Sequence, residues 1–381
     1  MSVAGMFLFL PENCWDVRVT TEALRYLRLG LDPYAASIAH EQAEAALGHR
    51  VFIYWYPPVS ILLLRIINII PAIMRSLMFW AVYVAGLGLQ MWGASRYALP
   101  SERHKLRFLF PLTLFFPAFV PSDSILSGNL AIPMYGAIMA ASVRGWRDGR
   151  WGWFYGAVLA SSLLKPPMLV WLAVPLLIGS AQLVPSALAA ACGVDAFIVQ
   201  RIIWPERFAS FMVSIHHALP SETSYSAVAV FYRIPHKLGP LPPRMVAVFY
   251  VMFSMAVFAL LAYFAYQCKR GNIAGQNLAA VALLATAILA PRLKEYDLLP
   301  LTIPMAVILL RAIGSRVAAG IFVLGAGMVV AVLATGHLWA VDFISVMTVF
   351  LIGVYAMGRE AYVTSEVRAQ ETDAEPELAG V

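Results

Sequence analysis

The chain alternates long uncharged apolar runs with short charged segments. Six runs free of Asp, Glu, Lys and Arg lie between Arg75 and Arg96, Asp123 and Arg144, Lys165 and Asp195, Arg244 and Lys269, Arg270 and Arg292, and Arg316 and Asp342. A helix needs about 20 apolar residues to cross a hydrocarbon core, and each run supplies about that number. Strands of a membrane barrel would alternate polar and apolar residues, which these runs do not. The pattern predicts an all-α integral membrane protein.

Membrane-spanning helices are predicted along most of the chain. They lie near residues 74–94, 108–121, 129–143, 151–164, 167–181, 187–203, 244–267, 274–290, 298–310, 317–335 and 341–357. Residues 1–10 are apolar, and we interpret them as part of a first span, which gives about 11–12 spans in all. Residues 59–70 are apolar but short and include Arg65, which predicts an interfacial or re-entrant helix.

The composition supports this class of protein. Of 381 residues, 61% are apolar and only 13% are charged, and the mean hydropathy is +0.75. About a quarter of the residues are charged in ordinary soluble domains, so these charges are too few to cover a soluble surface. The net charge of +6 is modest, and the basic residues punctuate apolar runs instead of forming one face. A soluble enzyme and a disordered chain are therefore excluded, and nucleic-acid binding is not expected.

The distribution of basic residues predicts the orientation. Short basic loops are typical of the cytoplasmic side, and they contain Arg96, Arg103, Lys105, Arg107, Arg144, Arg147, Arg150, Lys269, Arg270, Arg311 and Arg316. We therefore expect a single membrane domain over residues 1–358, with periplasmic loops at 11–73 and 204–243. Residues 359–381 are acidic, which predicts a disordered cytoplasmic tail. The predicted location is the bacterial inner membrane, with the functional site facing the periplasm.

Basic residues on the opposite side are candidates for binding phosphate. Arg65, Lys165, Arg292 and Lys294 lie in or beside apolar segments on the predicted periplasmic side. An uncompensated cation at membrane depth costs about 2.5–3.5 kcal/mol on insertion scales, and a lipid phosphate would offset that cost. The alternatives for each residue are snorkelling to the interface and pairing with a nearby carboxylate.

Three aspartates are candidates for chemistry at the membrane surface. Asp16 and Asp32 both lie in the predicted first loop, and a carboxylate at this boundary is suited to act as a general base. Asp32 precedes Pro33 in a turn-like stretch, so a capping role is the alternative for it. Asp297 lies at the start of a predicted span. The alternative to a chemical role for this residue is a salt bridge to Arg292 or Lys294. The three cysteines are far apart and no metal-binding motif occurs, so we expect neither a disulfide framework nor a metal site.

Several short motifs resemble those of a known family. They are Trp15-Asp16-Val17, Gly30-Leu31-Asp32-Pro33-Tyr34, Tyr56-Pro57-Pro58-Val59, Ser127-Gly128-Asn129, Leu164-Lys165-Pro166-Pro167, Ala290-Pro291-Arg292 and Tyr296-Asp297-Leu298-Leu299. In order and spacing, the chain resembles the polyprenyl-phosphate-sugar-dependent glycosyltransferases of the GT-C class, family 87. The later Ser-Pro element of that family often includes a histidine, whereas this chain has Arg292-Leu293-Lys294-Glu295.

The resemblance implies an inverting transfer of a sugar, with mannose as the expected sugar. The donor would be a polyprenyl-phosphate sugar and the acceptor a glycolipid or lipid-linked oligosaccharide, with no further cofactor. Asp16 would act as the base, and Lys165, Arg292 and Lys294 would bind phosphate. Asp32 remains the second candidate for the base, and Arg65 remains a phosphate candidate from its position alone. Tyr56, Asn129, Tyr296 and Asp297 would shape the sugar site. A lipid-linked glycan flippase and a membrane subunit of a polysaccharide assembly complex remain the alternatives.

Overall fold

The structure is a computed structural model of the chain. It describes residues 14–49, 51–98, 100–106, 128–178, 180–218, 242–290, 295–314, 316–321, 323–324, 327 and 338–374. Throughout these ranges the regular secondary structure is helical and no strand occurs.

The α-helices are numbered here in chain order. They are α1 (Trp15–Arg28), α2 (Pro33–Ala46), α3 (Val59–Ile69), α4 (Ala72–Ser95), α5 (Ala131–Asp148), α6 (Gly152–Ser162), α7 (Ala173–Ile178), α8 (Leu183–Ile203), α9 (Pro205–Ala218), α10 (Pro243–Lys269), α11 (Gly275–Leu289), α12 (Glu295–Leu298), α13 (Thr302–Ile313) and α14 (Leu338–Ala374). Short 3-10 helices lie at Pro100–Glu102, Pro166–Leu172, Ser180–Gln182 and Leu299–Leu301.

Four helices in the described ranges are long and apolar enough to cross a membrane. Their spanning segments are Ile73–Gly93, Leu183–Ile203, Arg244–Lys269 and Val346–Val367. Each corresponds to a span predicted from the sequence. An all-α protein with helices of membrane-spanning length is therefore observed.

Other predicted spans are shorter in the structure than the sequence pattern suggests. The sequence predicts spans at 151–164 and 167–181. The structure instead has the 11-residue helix α6, followed by a 3-10 helix at Pro166–Leu172. Consecutive prolines at 166 and 167 lack the amide hydrogens that an α-helix interior requires. The prediction at 108–121 and most of that at 317–335 lie outside the described residues.

The chain divides into two compact units. The first comprises Met1–Trp92, Ser122–Leu169 and Ala187–Thr223, and the second comprises Gly93–Pro121, Val170–Ser186 and Ser224–Val381.

The first unit contains an aromatic core between its short helices. Tyr34, Tyr54, Tyr56, Phe208 and Phe211 are buried together with small and aliphatic residues of α1 and α3. The rings of Tyr34 and Tyr54 lie 5.5 Å apart, and those of Tyr34 and Phe211 lie 5.9 Å apart, within the range of favourable aromatic pairs. This core holds α1, α2, α3 and α9 together.

An extended segment, residues 51–58, passes through this core without a neighbouring strand. Side chains from the surrounding helices bind its backbone instead. The Ser37 hydroxyl accepts from the Tyr54 N–H at 3.1 Å, and the Ser214 hydroxyl donates to the Tyr54 carbonyl at 2.6 Å. The Tyr34 hydroxyl donates to the Tyr56 carbonyl at 2.8 Å. Burial raises the pKa of both the Tyr34 and Tyr54 hydroxyls, so they remain protonated donors.

The second unit is organised around α11. Every residue from Leu278 to Leu289 is buried, because α7, α10, α13 and α14 pack around this apolar helix. Gly353 of α14 allows close approach, since a Cβ there would lie 2.7 Å from the Val281 side chain.

A polar network joins four elements of the second unit. The Arg311 guanidinium donates to both carboxylate oxygens of Glu102 at 2.7 and 2.8 Å and to the Asn277 side-chain oxygen at 2.5 Å. Asn277 in turn donates to Glu360 of α14 at 2.6 Å. Glu360 also accepts from the Ala274 N–H at 2.8 Å, which satisfies an amide at the start of α11.

The C-terminal segment differs from its prediction. The acidic residues after position 358 were expected to be disordered, whereas α14 continues without a break to Ala374. The hydrogen bonds that Glu360 accepts from Ala274 and Asn277 hold this part of α14 against the start of α11. Residues 375–381 lie outside the described ranges.

Replacing Ser37 by Ala is expected to destabilise the first unit by about 1–3 kcal/mol, because the buried Tyr54 N–H loses its acceptor. Ser162→Ala is the matched control, since Ser162 is equally buried but donates only to the Leu159 carbonyl of its own helix. The measurement is the midpoint of thermal unfolding in detergent. Equal midpoints for the two variants would contradict this account of the extended segment.

Candidate active site

Three polar side chains from distant parts of the sequence meet in the first unit. The Asn129 side-chain amide nitrogen donates to the Asp16 carboxylate at 2.7 Å. The Lys165 ammonium donates to the Asn129 side-chain oxygen at 2.9 Å. Asn129 is 2% exposed, while Asp16 and Lys165 are half-buried. One amide therefore links a carboxylate to an ammonium group.

The orientation of the Asn129 amide is fixed by the backbone. The Ala131 N–H donates to the Asn129 side-chain oxygen at 2.8 Å, in the turn that begins α5. The same oxygen accepts from Lys165, so the amide nitrogen is the atom directed at Asp16. Both acceptor positions of that oxygen are filled.

Asp16 lies in the first turn of α1. Free N–H groups at a helix N-terminus carry partial positive charge, which stabilises a carboxylate there. The helix also gives Asp16 a rigid support, since α1 packs against α2 and α3.

Gly128 permits the close approach of Asn129 to α1. Its φ of +70° lies in the left-handed region that favours glycine. A Cβ at this position would lie 2.7 Å from the Val17 side chain and 2.8 Å from Cys14 Cβ. Without glycine here, the Asn129 segment would be forced away from Asp16.

Lys165 lies between the end of α6 and the start of the 3-10 helix at Pro166–Leu172. Its N–H donates to the Ser161 carbonyl and its carbonyl accepts from the Met168 N–H, each at 2.9 Å. The following Pro166 restricts the backbone of Lys165 further. The side chain therefore extends from a fixed point toward Asn129.

A cavity of about 160 Å³ is lined by Leu163 and Pro166, which lie within two residues of Lys165 in sequence. One wall is formed by the end of α6 and the start of the 3-10 helix, and the other by the face of α8 that includes Gly193, Phe197 and Gln200. Most of the lining is apolar, and an apolar cavity of this size holds a small hydrocarbon group. Gln200 also accepts from the Val59 N–H at 3.0 Å, at the start of α3.

The Cys14 thiol is a neighbour of the carboxylate. Burial raises its pKa, and the negative charge of Asp16 raises it further. Cys14 is 7% exposed. It is thus a reporter of the charge on Asp16.

Other residues proposed from the sequence for this site lie elsewhere in the first unit. Asp32 caps α2, where its carboxylate accepts from the Tyr34 N–H at 3.2 Å. Tyr56 is 7% exposed and belongs to the aromatic core, with its ring 5.7 Å from that of Tyr54. Arg65 is exposed on α3 and makes no hydrogen bond or ion pair with a described residue.

Four of the proposed residues belong to the second unit. Arg292 and Lys294 lie outside the described residues, as does the side chain of Tyr296. Asp297 is half-buried in the short helix α12.

Sequence reasoning did not assign roles to Gly128, Cys14 or Gln200. The glycine directly before Asn129 was a usable signal, because glycine often marks a place where backbones approach closely. Cys14 and Gln200 have no such signal, since their roles depend on contacts distant in sequence.

The described part of the chain has no group of three or more His, Cys, Asp or Glu side chains arranged to hold a metal ion. Comparison of the chain with protein-family profiles, curated proteins and solved structures finds no match.

Gly128→Ala is expected to destabilise the protein more than Gly30→Ala. Both glycines have φ near +70°, and a side chain in that conformation costs about 1–2 kcal/mol. Only Gly128 adds a clash with α1, because nothing lies within 4 Å of a Cβ built at Gly30. Thermal unfolding of both variants in detergent measures the difference. A Gly128 variant as stable as the Gly30 variant would refute the proposed close approach.

The pH dependence of Cys14 alkylation is expected to report the charge on Asp16. In a chain with Cys192 and Cys268 replaced by Ala, the rate should rise with a midpoint above 9.0, since burial and Asp16 both raise the thiol pKa. Asp16→Asn removes one of these causes, so the midpoint should move to lower pH. Asp32→Asn is the control and should leave it in place. An unchanged midpoint in Asp16→Asn would show that no charged carboxylate lies beside the thiol.

Proposed function

We propose that the protein is a membrane glycosyltransferase that moves a sugar from a polyprenyl-phosphate donor to a lipid-linked acceptor. The observation that supports this most directly is the linkage of Asp16, Asn129 and Lys165. It combines a carboxylate suited to accept a proton with a cation suited to meet a phosphate, on a rigid amide support. The proposal extends to about 11–12 spans and to the periplasmic face, on the apolar runs and the basic loops of the sequence. It extends to the GT-C architecture and to mannose on the resemblance described above.

The reaction requires one proton transfer and one displacement. The acceptor hydroxyl gives its proton to the Asp16 carboxylate while its oxygen forms a bond to the anomeric carbon. The bond from that carbon to the phosphate oxygen breaks on the opposite face, so the configuration inverts. The electron pair leaves with the polyprenyl phosphate.

Lys165 is suited to the leaving group. Negative charge grows on the phosphate oxygen as the bond breaks, and a preorganised cation stabilises that charge more in the transition state than in the ground state. Its Asn129 hydrogen bond fixes the ammonium before substrate binds. A sugar phosphate is already activated, so this scheme uses no nucleotide and no metal ion.

The cavity beside Lys165 supports a lipid-linked donor. Its lining includes Leu163, Pro166 and Leu169, the near neighbours of Lys165 in sequence. An isoprenoid segment would gain about 25 cal/mol for each Å² of apolar surface removed from water there. A donor with a phosphate at Lys165 and a hydrocarbon tail in the cavity would match both features.

Asp16→Asn is expected to reduce sugar transfer by about 10²–10⁴-fold, the usual contribution of a general base. The assay contains purified full-length protein, a polyprenyl-phosphate sugar, a glycolipid acceptor and a chelator, with no nucleotide sugar. Asp32→Asn is the matched control, because that carboxylate caps α2; it should keep transfer within a few-fold of wild type. Lys165→Met should lower kcat while leaving Cys14 alkylation unchanged.

Three outcomes would count against the proposal. Full activity of Asp16→Asn would remove the assigned base, and loss of activity only in Asp32→Asn would transfer the role to that residue. Movement of intact lipid-linked glycan across vesicle membranes, without sugar transfer, would favour the flippase alternative.

A further inference from the structure

Helix α3 exposes a face that is wholly apolar. Its outward face carries Leu62, Leu63, Ile66, Ile67 and Ile69, which are 38–83% exposed. At about 100° per residue these side chains cover an arc of about 160°. Every residue in that arc is apolar.

The polar residues of the same helix lie outside this apolar arc. Ser60, Ile61 and Leu64 are buried against the aromatic core, whereas Arg65 and Asn68 are exposed beside it. A helix on a water-exposed surface would not present so wide an arc without a polar residue, because exposed apolar surface in water is unfavourable. The outward face of α3 is therefore suited to an apolar medium.

The apolar surface continues into a membrane-spanning segment. Pro71 ends α3, and Ile73 and Leu77 at the start of α4 are 74% and 66% exposed. They belong to the candidate span Ile73–Gly93. Helix α3 has 11 residues, so its length of about 16 Å is only half of a hydrocarbon core.

The segment that contains α3 has basic residues but no acidic ones. Residues 45–101 contain no Asp or Glu. The Arg28 guanidinium at the end of α1 donates twice to the Asn68 side-chain oxygen, at 2.8 and 2.5 Å. This amide positions the guanidinium without cancelling its charge. Arg65 lies one helical turn before Asn68 and makes no ion pair with a described residue.

We propose that α3 lies in one leaflet of the membrane and that Arg28, held by Asn68, forms with Arg65 a site for the headgroup of an anionic phospholipid. The outward leucines and isoleucines contact acyl chains, and the two guanidiniums donate hydrogen bonds to the phosphate at the rim. This lipid is a structural partner of the α1–α3 edge, distinct from the donor proposed for Lys165. The inference stands whether or not the protein transfers sugars.

A photoreactive side chain identifies the occupant of the outward face. Benzoylphenylalanine replaces Ile66 in the full-length protein, which is reconstituted in vesicles of equimolar phosphatidylglycerol and phosphatidylcholine with matched acyl chains. Mass spectrometry then identifies the adducts after illumination. Lipid adducts are expected at Ile66, and few at the control position Gln42, which is exposed on α2. Adducts to a second copy of the chain or to another protein would overturn the proposal.

The ratio of the two lipids in the Ile66 adduct tests the headgroup site. Wild type should favour phosphatidylglycerol, and Arg28→Gln or Arg65→Gln should each lower that preference about fivefold, the effect of one basic residue at an anionic surface. Arg25→Gln is the matched control, because Arg25 lies one turn before Arg28 on α1 but pairs with Glu22 at 3.4 Å. It should keep the wild-type ratio. An equal ratio in all four proteins would overturn the headgroup site.

Discussion

The hydrogen bonds of the Asn129 amide set the geometry on which the candidate active site depends. They connect the first turn of α1, the first turn of α5 and the junction after α6, which are 113 and 36 residues apart in sequence. An amide is suited to this position because it donates and accepts at once while carrying no charge. A carboxylate at position 129 would repel Asp16, and an apolar residue would leave the Ala131 N–H without its acceptor. The close backbone approach at Gly128 is what brings this amide within reach of α1.

A second constraint concerns the backbone of residues 51–58. A buried extended segment must satisfy its N–H and C=O groups, and here no adjacent strand is available among the described residues. Hydroxyl groups of Ser37, Tyr34 and Ser214 take that role. Each comes from a different place on α2 or α9, so the segment fixes the relative position of these helices. The same packing fixes α1, and with it the orientation of Asp16.

The sequence predicted some of these features and missed others for physical reasons. Long spans such as Arg244–Lys269 could be predicted because hydropathy is a local property. The break between residues 164 and 167 was predicted, but the 3-10 helix at Pro166–Leu172 was not, because only its hydrogen bonding distinguishes it from an α-helix of the same apolar residues. Asp16 and Lys165 were proposed separately, but their connection through Asn129 depends on tertiary structure. The motif around Tyr56 is compatible with a binding surface or with a hydrophobic core. The structure places this residue in the core, where it is buried.

The polar partner of each cation determines what that cation can do. Arg311 donates to both oxygens of Glu102, so its charge is balanced within the protein and its role is to join helices. Arg28 instead donates to the Asn68 oxygen. A neutral amide removes much of the conformational freedom of a long basic side chain but contributes no opposing charge. Arg28, whose guanidinium is held by an amide and not by a carboxylate, is therefore the cation that the proposed anionic lipid would meet.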